Sequence, residues 1–489
     1  MLFNSHIFML LFLPLLLAGW YFLNWKKKFQ LAQGYLIGMS LWFYAYANLQ
    51  YLWLLLFSCL IGWLLSCLPE KIFSEKGKKV LTGVGCVFHL GLLGYFKYSN
   101  FFLENLNTVF HTDFPMLQIL LPVGISFYTF QQLAYLIDRC RGDAPRDSFF
   151  DYLTFMVYFP QLLQGPILLR SEFMGQLKEP ERRRFHAERF SEGIQFFVFG
   201  LAKKVLLADT LAKAVNYGYS NVSMLDSISA LLLAAGYLTE LYFDFSGYCD
   251  MAVGLGKMIG LEVAENFDAP FHSASVKEFW RRWHMTLGRF FTRYVYIPLG
   301  GNRKGKMRTL CNVMIVMLLS GLWHGAAWTF VLWGFLHGVG MIWDNLEHPH
   351  LPKKWMRQAA TFAYVCMTFV FFRAESIAQG VDVLKSIVSL KWNGFVFQMA
   401  SALDLTEFYM ITKALSMKLP GLLSWFWLGI FVVLIAICFR VLSGKKVSGV
   451  VALQRQKGYG RLYPVVLAVL FTWSMISMTG VSEYLYFSF

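Results

Sequence analysis

A chain of 489 residues with 57% hydrophobic, 18% aromatic and only 15% charged side chains lacks the quarter or so of charged residues that an ordinary soluble domain carries. Its net charge of +15 sits in short basic loops between apolar runs. That distribution suits an anionic membrane leaflet and leaves no extramembrane domain to bind nucleic acid. The eight cysteines are scattered singly, with no CxxC, so neither a disulfide framework nor a zinc site is expected.

In chain order, the apolar run 7–22 has no basic n-region and no small-x-small cleavage site, and basic residues follow it. It reads as a retained first span, not a signal peptide. Lys26, Lys27 and Lys28 then mark a cytosolic loop and place the N-terminus on the exported side. Residues 32–47 and 50–67 run out and back to a basic loop at 71–79. The run 80–96 goes out to a polar stretch at 97–114, and 115–136 returns to Arg139, Arg141 and Arg146. Each basic loop falls on one side.

Residues 155–169, FMVYFPQLLQGPILL, hold Pro160, Gly165, Pro166 and two glutamines. Irregular backbone at membrane depth survives only when protein shields it, so a broken or re-entrant segment is expected there. Residues 170–190 mix six basic and four acidic side chains and read as a cytosolic amphipathic linker. Further apolar runs lie at 193–208, 228–260, 311–343, 359–373, 421–442 and 462–480. The expectation is an all-α polytopic membrane protein with roughly ten to twelve spans. No fixed-period repeat suggests a solenoid.

The stretch 277–338 carries the features that need a chemical explanation. Trp280, Trp283, Leu287, Phe291 and Tyr294 recur at helical spacing, with Arg282, Arg289 and Arg293 off that face, which predicts one helix. His284 falls towards its apolar side. The sequence IPLGG ends the helix, a basic turn follows at 303–308, and the next apolar run holds His324 between Trp323 and Gly325. A titratable group inside such a run is costly and a functional candidate by default. Gly321 and Gly325 permit close approach, and an apolar setting favours the neutral imidazole that a general base requires. The plainer alternative is a core histidine bonded to a neighbouring helix. His284 likewise reads two ways, as the polar tip of an interfacial aromatic belt or as a second group lining the cavity of His324.

Upstream, YLTELYFDFSGYCDMAVGLG (237–256) sets Glu240, Asp244 and Asp250 among apolar residues. Glu240 and Asp244 share a helical face. The expected partners are the arginines of 281–293, with Arg281 and Arg282 pairing Asp244 or Asp250; a cation or proton path is the alternative. HPH at 348–350 lacks a third ligand, so no metal is expected. There is no P-loop, dinucleotide fingerprint or G-x-S-x-G.

PVGISFYTFQQLAYLIDRCRG (122–142), FPQLLQGPI (159–167), YFDFSGYCDMAVGLG (242–256), ENFDAPF (265–271), FWRRWHMTL (279–287), YIPLGGNR (296–303) and SGLWHGAAWTFVLWGFLHG (320–338) together resemble the membrane-bound O-acyltransferase family. FFRAES (371–376) and the terminal YLYFSF (484–489) look like its branch containing the alginate O-acetylation membrane protein. The D-alanyl transferase of teichoic acids is the nearest alternative. One departure is Thr292-Arg293, where that branch usually has Arg-Asp before the Tyr of YIPLGG.

The resemblance implies a single membrane-embedded domain over 1–489, with its catalytic core at about 115–345. It implies a ring of transmembrane helices around a thinned centre with a central tunnel. His324 would be the catalytic residue and His284 its accessory, with Trp323, Trp283, Asn266, Asp244, Ser246, Tyr128 and Gln131 as tunnel candidates. The donor would be acetyl-CoA or another acyl thioester, with no bound cofactor. The acceptor would be a polysaccharide or an exported SGNH-type, esterase-like partner protein, and the location a bacterial plasma membrane. The imidazole would deprotonate the attacking hydroxyl while the second polar group steadies the oxyanion, or an acyl-histidine would form.

The charge reading predicts that a reporter fused after Lys28 is cytosolic and one near Asn105 exported. The opposite result at both sites overturns the orientation.

Overall fold

The computed structural model describes residues 1–67, 75–346, 353–405, 409–437, 446–458, 460–478 and 484–485. Among them helix follows helix and no strand occurs. Among the described residues six helices are long and apolar enough to cross a bilayer: Phe8–Trp25, Leu49–Cys67, Lys76–Phe110, Ser227–Met258, Lys306–His324 and Pro420–Ile437. The protein is an all-α, polytopic membrane protein. Other apolar runs form helices that are shorter or more polar, such as Leu462–Ser477 and Lys354–Arg373. The chain divides into two compact units, Met1–Val198 with Tyr248–Glu265 and Arg289–Val295, and Phe199–Gly247 with Asn266–Gly288 and Tyr296–Phe489.

In the first unit the expected break at 155–169 is present. The helix Phe149–Met156 stops, Pro160 opens a short helix Phe159–Leu162, and the chain then runs without helix to Leu169. The segment is buried. Its glycine is obligatory: a Cβ on Gly165 would lie 2.2 Å from the Pro160 carbonyl oxygen. At the facing turn, Gly124 has φ 76°, and a Cβ there would meet the Leu162 oxygen at 2.3 Å. Nearby, Gln132 donates to Ser58 Oγ at 2.7 Å and accepts from Tyr152 Oη at 3.1 Å, with His89 Nδ1 3.3 Å from the same serine.

Two expectations for this unit need correction. The helical run begun at 76 does not end near residue 96 but continues to Phe110. The stretch 112–122 is non-helical, and the next helix begins at Ile125. Two asparagines on the longer helix explain this. Asn100 and Asn107 each use both carboxamide atoms to pair a backbone amide, at Leu117 and Phe114 respectively, with all four bonds at 2.9 Å. These side chains satisfy the extended backbone and remove its need to be helical.

In the second unit the run 311–343 is two helices, Lys306–His324 and Trp328–Asn345, packed as a hairpin. Their crossing is backbone on backbone. A Cβ on Gly321 would lie 2.3 Å from the Phe330 oxygen, and one on Gly334 2.5 Å from the Met317 oxygen.

The carboxylates of 237–256 also differ from expectation. Asp244 pairs not with Arg281 or Arg282 but with Lys204, at 2.7 Å, and accepts the Leu485 N–H at 3.1 Å. Arg282 bonds Glu278 of its own helix, and Arg281 is exposed. Of the other expected arginines, Arg289 pairs Glu172 and Arg293 pairs Asp138, both within the first unit. The reason for the Lys204 pairing is again a close crossing. A Cβ on Gly247 would lie 2.7 Å from the Gly200 oxygen, so the side chain one turn beyond Gly200 reaches Asp244. Lys204 and Asp244 are almost wholly buried, and the lysine also holds Asp209 at 2.8 Å.

Removing one member of a buried pair strands the other's charge. Lys204→Met strands two acids and should lower stability by about 3–5 kcal/mol. Asp244→Asn leaves Lys204 on Asp209 and should cost about 1–3 kcal/mol. Unfolding in detergent measures both, and equal losses would contradict the shared lysine.

Candidate active site

The helix predicted over 280–294 is broken in its middle. Ser275 caps a first helix, Val276–Arg282, by accepting the Glu278 N–H at 3.1 Å. Trp283 is extended, His284 has φ 44°, and a second helix runs Met285–Phe291. A positive φ is uncommon away from glycine and needs support from its surroundings. Asn266 supplies it. Its backbone oxygen accepts the Met285 N–H at 3.0 Å, and its Oδ1 accepts both the N–H and the hydroxyl of Thr286 at 3.0 Å. The first orphan donors of the second helix are thereby satisfied from outside it.

The corner drives the imidazole inward. His284 is 1% exposed, its ring 4.7 Å from that of Phe245 and 6.0 Å from that of Trp323, with Nδ1 3.2 Å from Asn266 Oδ1. It lies outside the six spanning helices, and burial pushes its pKa down to about 3, so the ring is neutral at physiological pH. An interfacial belt residue would be exposed; this one is core.

His324 is the last residue of its helix, followed by extended Gly325. It is 4% exposed, and its ring meets those of Trp323 at 4.9 Å, Trp333 at 5.1 Å and Phe372 at 5.1 Å. The indole of Trp323 therefore lies against both imidazoles. Residues forty positions apart in sequence share one aromatic chamber.

Trp283 is buried beside His284 in sequence, stacked on Phe279 at 5.3 Å and edge-on to Phe267 and Phe369. Asp244, Ser246, Tyr128 and Gln131, the other sequence candidates, are buried as well. Tyr242 and Phe245 face Trp283 and His284, while Asp244 is on another face of that helix, committed to Lys204. Ser246 is buried, and its hydroxyl finds no partner among the described residues. Tyr128 and Gln131 belong to the first unit, buried on the helix Ile125–Arg141, with Tyr128 Oη and Gln131 Oε1 likewise unpartnered among the described residues. No three His, Cys, Asp or Glu side chains among the described residues converge as metal ligands, and HPH at 348–350 lies outside them.

A third buried imidazole, His337, was missed, although LHG in an apolar run signals the same cost as His324. Trp280 Nε1–H donates to its Nδ1 at 3.3 Å, and its Nε2 lies 2.9 Å from Thr368 Oγ1, whose own hydrogen goes to the Val365 oxygen. Both nitrogens are spent, so His337 is a structural residue that braces Trp280 and Trp333.

The sequence profile of the membrane-bound O-acyltransferase family matches residues 145–379, a span that contains His284, His324 and His337. The chain is 35% identical over 423 residues to a peptidoglycan O-acetyltransferase of Helicobacter pylori, covering 80% of each protein. It is 39% identical over 389 residues to the probable alginate O-acetylase AlgI of Azotobacter vinelandii, covering 77% of this chain and 76% of that one. A teichoic acid D-alanyltransferase of Streptococcus thermophilus is 28% identical over 253 residues, 49% of this chain and 58% of its own. With likeness of this extent, the chain belongs to the membrane-bound O-acyltransferase family and is an O-acyltransferase.

Proposed function

We propose that this enzyme moves an acetyl group from cytosolic acetyl-CoA across a bacterial plasma membrane, with its own N-terminus exported, towards an exported polysaccharide. The immediate acceptor is the hydroxyl of an exported SGNH-type, esterase-like partner. An acetyl donor is favoured because the relatives named for O-acetylation share 35–39% identity over three quarters or more of the chain, whereas the D-alanyl relative shares 28% over half of it. The observation that carries the reading is the pair of buried imidazoles held against one indole.

In this reading His324 takes the proton of the attacking hydroxyl as its oxygen bonds to the thioester carbonyl carbon. The carbon–sulfur bond then breaks, and the departing sulfur leaves as a thiol with that proton. The thioester is a substrate, and no step calls on a bound cofactor. The surrounding rings keep out the water that would hydrolyse it. His324 stands sixteen residues beyond Arg308 in one helix, about 24 Å of rise. In a hydrocarbon core about 30 Å thick this lies past the midplane from the cytosolic end, so the donor's thioester travels through a tunnel or a thinned membrane.

His324→Ala should abolish acetyl-CoA turnover by the purified protein with its partner while the protein still folds. His284→Ala should lose less, about 10²–10³-fold at most, as for one oriented hydrogen bond. Full activity of His324→Ala would reject the catalytic assignment and favour a transporter that only passes the acyl group.

A further inference from the structure

His284 and Asn266 meet in a way that fixes where the imidazole hydrogen sits. The backbone nitrogen of Thr286 can only donate, so the Asn266 atom it meets at 3.0 Å is the carboxamide oxygen and not its nitrogen. The Thr286 hydroxyl, at 3.0 Å from the same atom, fits that assignment. An amide oxygen carries no hydrogen. His284 Nδ1, 3.2 Å away, is therefore the donor of that bond. A neutral imidazole has a single N–H, so the lone pair is on Nε2.

We infer that Asn266 is a positioning residue that locks His284 as its Nδ1–H tautomer, so that His284 meets the substrate at Nε2 as a hydrogen-bond acceptor. The inference rests on the proposed reading of His284 as the second polar group of the acyl-transfer site. It changes what that group does. A lone pair cannot steady the oxyanion, as the sequence suggested. It receives a substrate group that brings its own hydrogen, a hydroxyl or an amide N–H. The hydrogen bond at one ring nitrogen sets the chemistry of the other, and His337 shows the converse. There Trp280 donates to Nδ1, so Nε2 carries the hydrogen and points it at Thr368. One unit thus holds two buried imidazoles in opposite tautomers by opposite partners. Asn266 also carries the backbone of Met285, so the residue that sets the tautomer sets the ring's position as well.

The test is solid-state NMR of the full chain labelled with ¹⁵N-histidine in lipid bilayers, without donor or acceptor, with His284→Gln used to identify the His284 signals. The wild type should show a protonated Nδ1 and a bare Nε2. Asn266→Leu, close in shape but without an acceptor, should move His284 towards the Nε2–H form and lower acetyl transfer about 10–100-fold, the range seen when outer-shell partners of metal-bound imidazoles are removed. Asn266→Asp keeps an acceptor oxygen and should retain the tautomer and recover most of the transfer. A wild-type Nε2–H signal, or an unchanged tautomer in Asn266→Leu, would overturn the inference. Asn266→Ser replaces the leucine variant if that one does not accumulate. The spectra involve no acyl donor, so failure of the acyl-transfer reading would show in the His324→Ala assay and not in the tautomer.

Discussion

Every break in a helix frees backbone N–H and C=O groups, and in an apolar interior each must find another partner. That constraint organises this protein. Its candidate site lies where helices are interrupted, and two of the interruptions are held by asparagine side chains. Asn266 takes up the donors freed at the His284 corner, and Asn100 and Asn107 pair the extended backbone at 114 and 117. The carboxamide suits the task because one group both donates and accepts. The consequence for function is direct. A continuous helix over 280–294 would fix His284 by helical spacing alone, whereas the corner turns it to the indole of Trp323.

Close backbone approach is the second recurring device. Glycine meets carbonyl at Gly321 and Gly334, and at Gly247 against Gly200. The first crossing holds the helix that ends in His324 against the one that carries Trp333 and His337. The second sets Lys204 beside Asp244, on a face of the helix other than the one that Phe245 presents to His284. Charge and catalytic candidates are thus segregated around a single helix. The buried ion pair does not tune the chamber through contact; it secures the helix whose other side walls it.

Much of this was visible in the sequence, because membrane composition, spans and the broken segment at 155–169 follow from local apolarity, proline and glycine. The candidacy of His284 and His324 followed from the cost of burying an imidazole, and both are buried. What escaped was tertiary. The spacing of Trp280, Leu287 and Tyr294 continues across the corner as if the helix did, while Asn266 and Asp268, far upstream, take up the backbone groups that the break frees. Arginines dominate the motif nearest to Asp244 in sequence and are its obvious partners there. Yet two lysines at 203 and 204 interrupt an apolar run and could have been recognised as the costlier charges to leave unpaired. His337 carried the same signal as His324. What separates them is that His337 has partners on both nitrogens, which no sequence pattern displays.

The central claim is that acyl transfer occurs in the chamber shared by His284, Trp323 and His324. Its most direct test is a structure of the full chain in lipid with a non-transferable thioether analogue of acetyl-CoA. Transfer at this place puts the analogue's carbonyl carbon beside Trp323, with room for an attacking oxygen about 3–3.5 Å from it and within about 2.6–3.2 Å of a His324 nitrogen. An analogue bound with its carbonyl elsewhere, and with neither imidazole in contact with it, would contradict it.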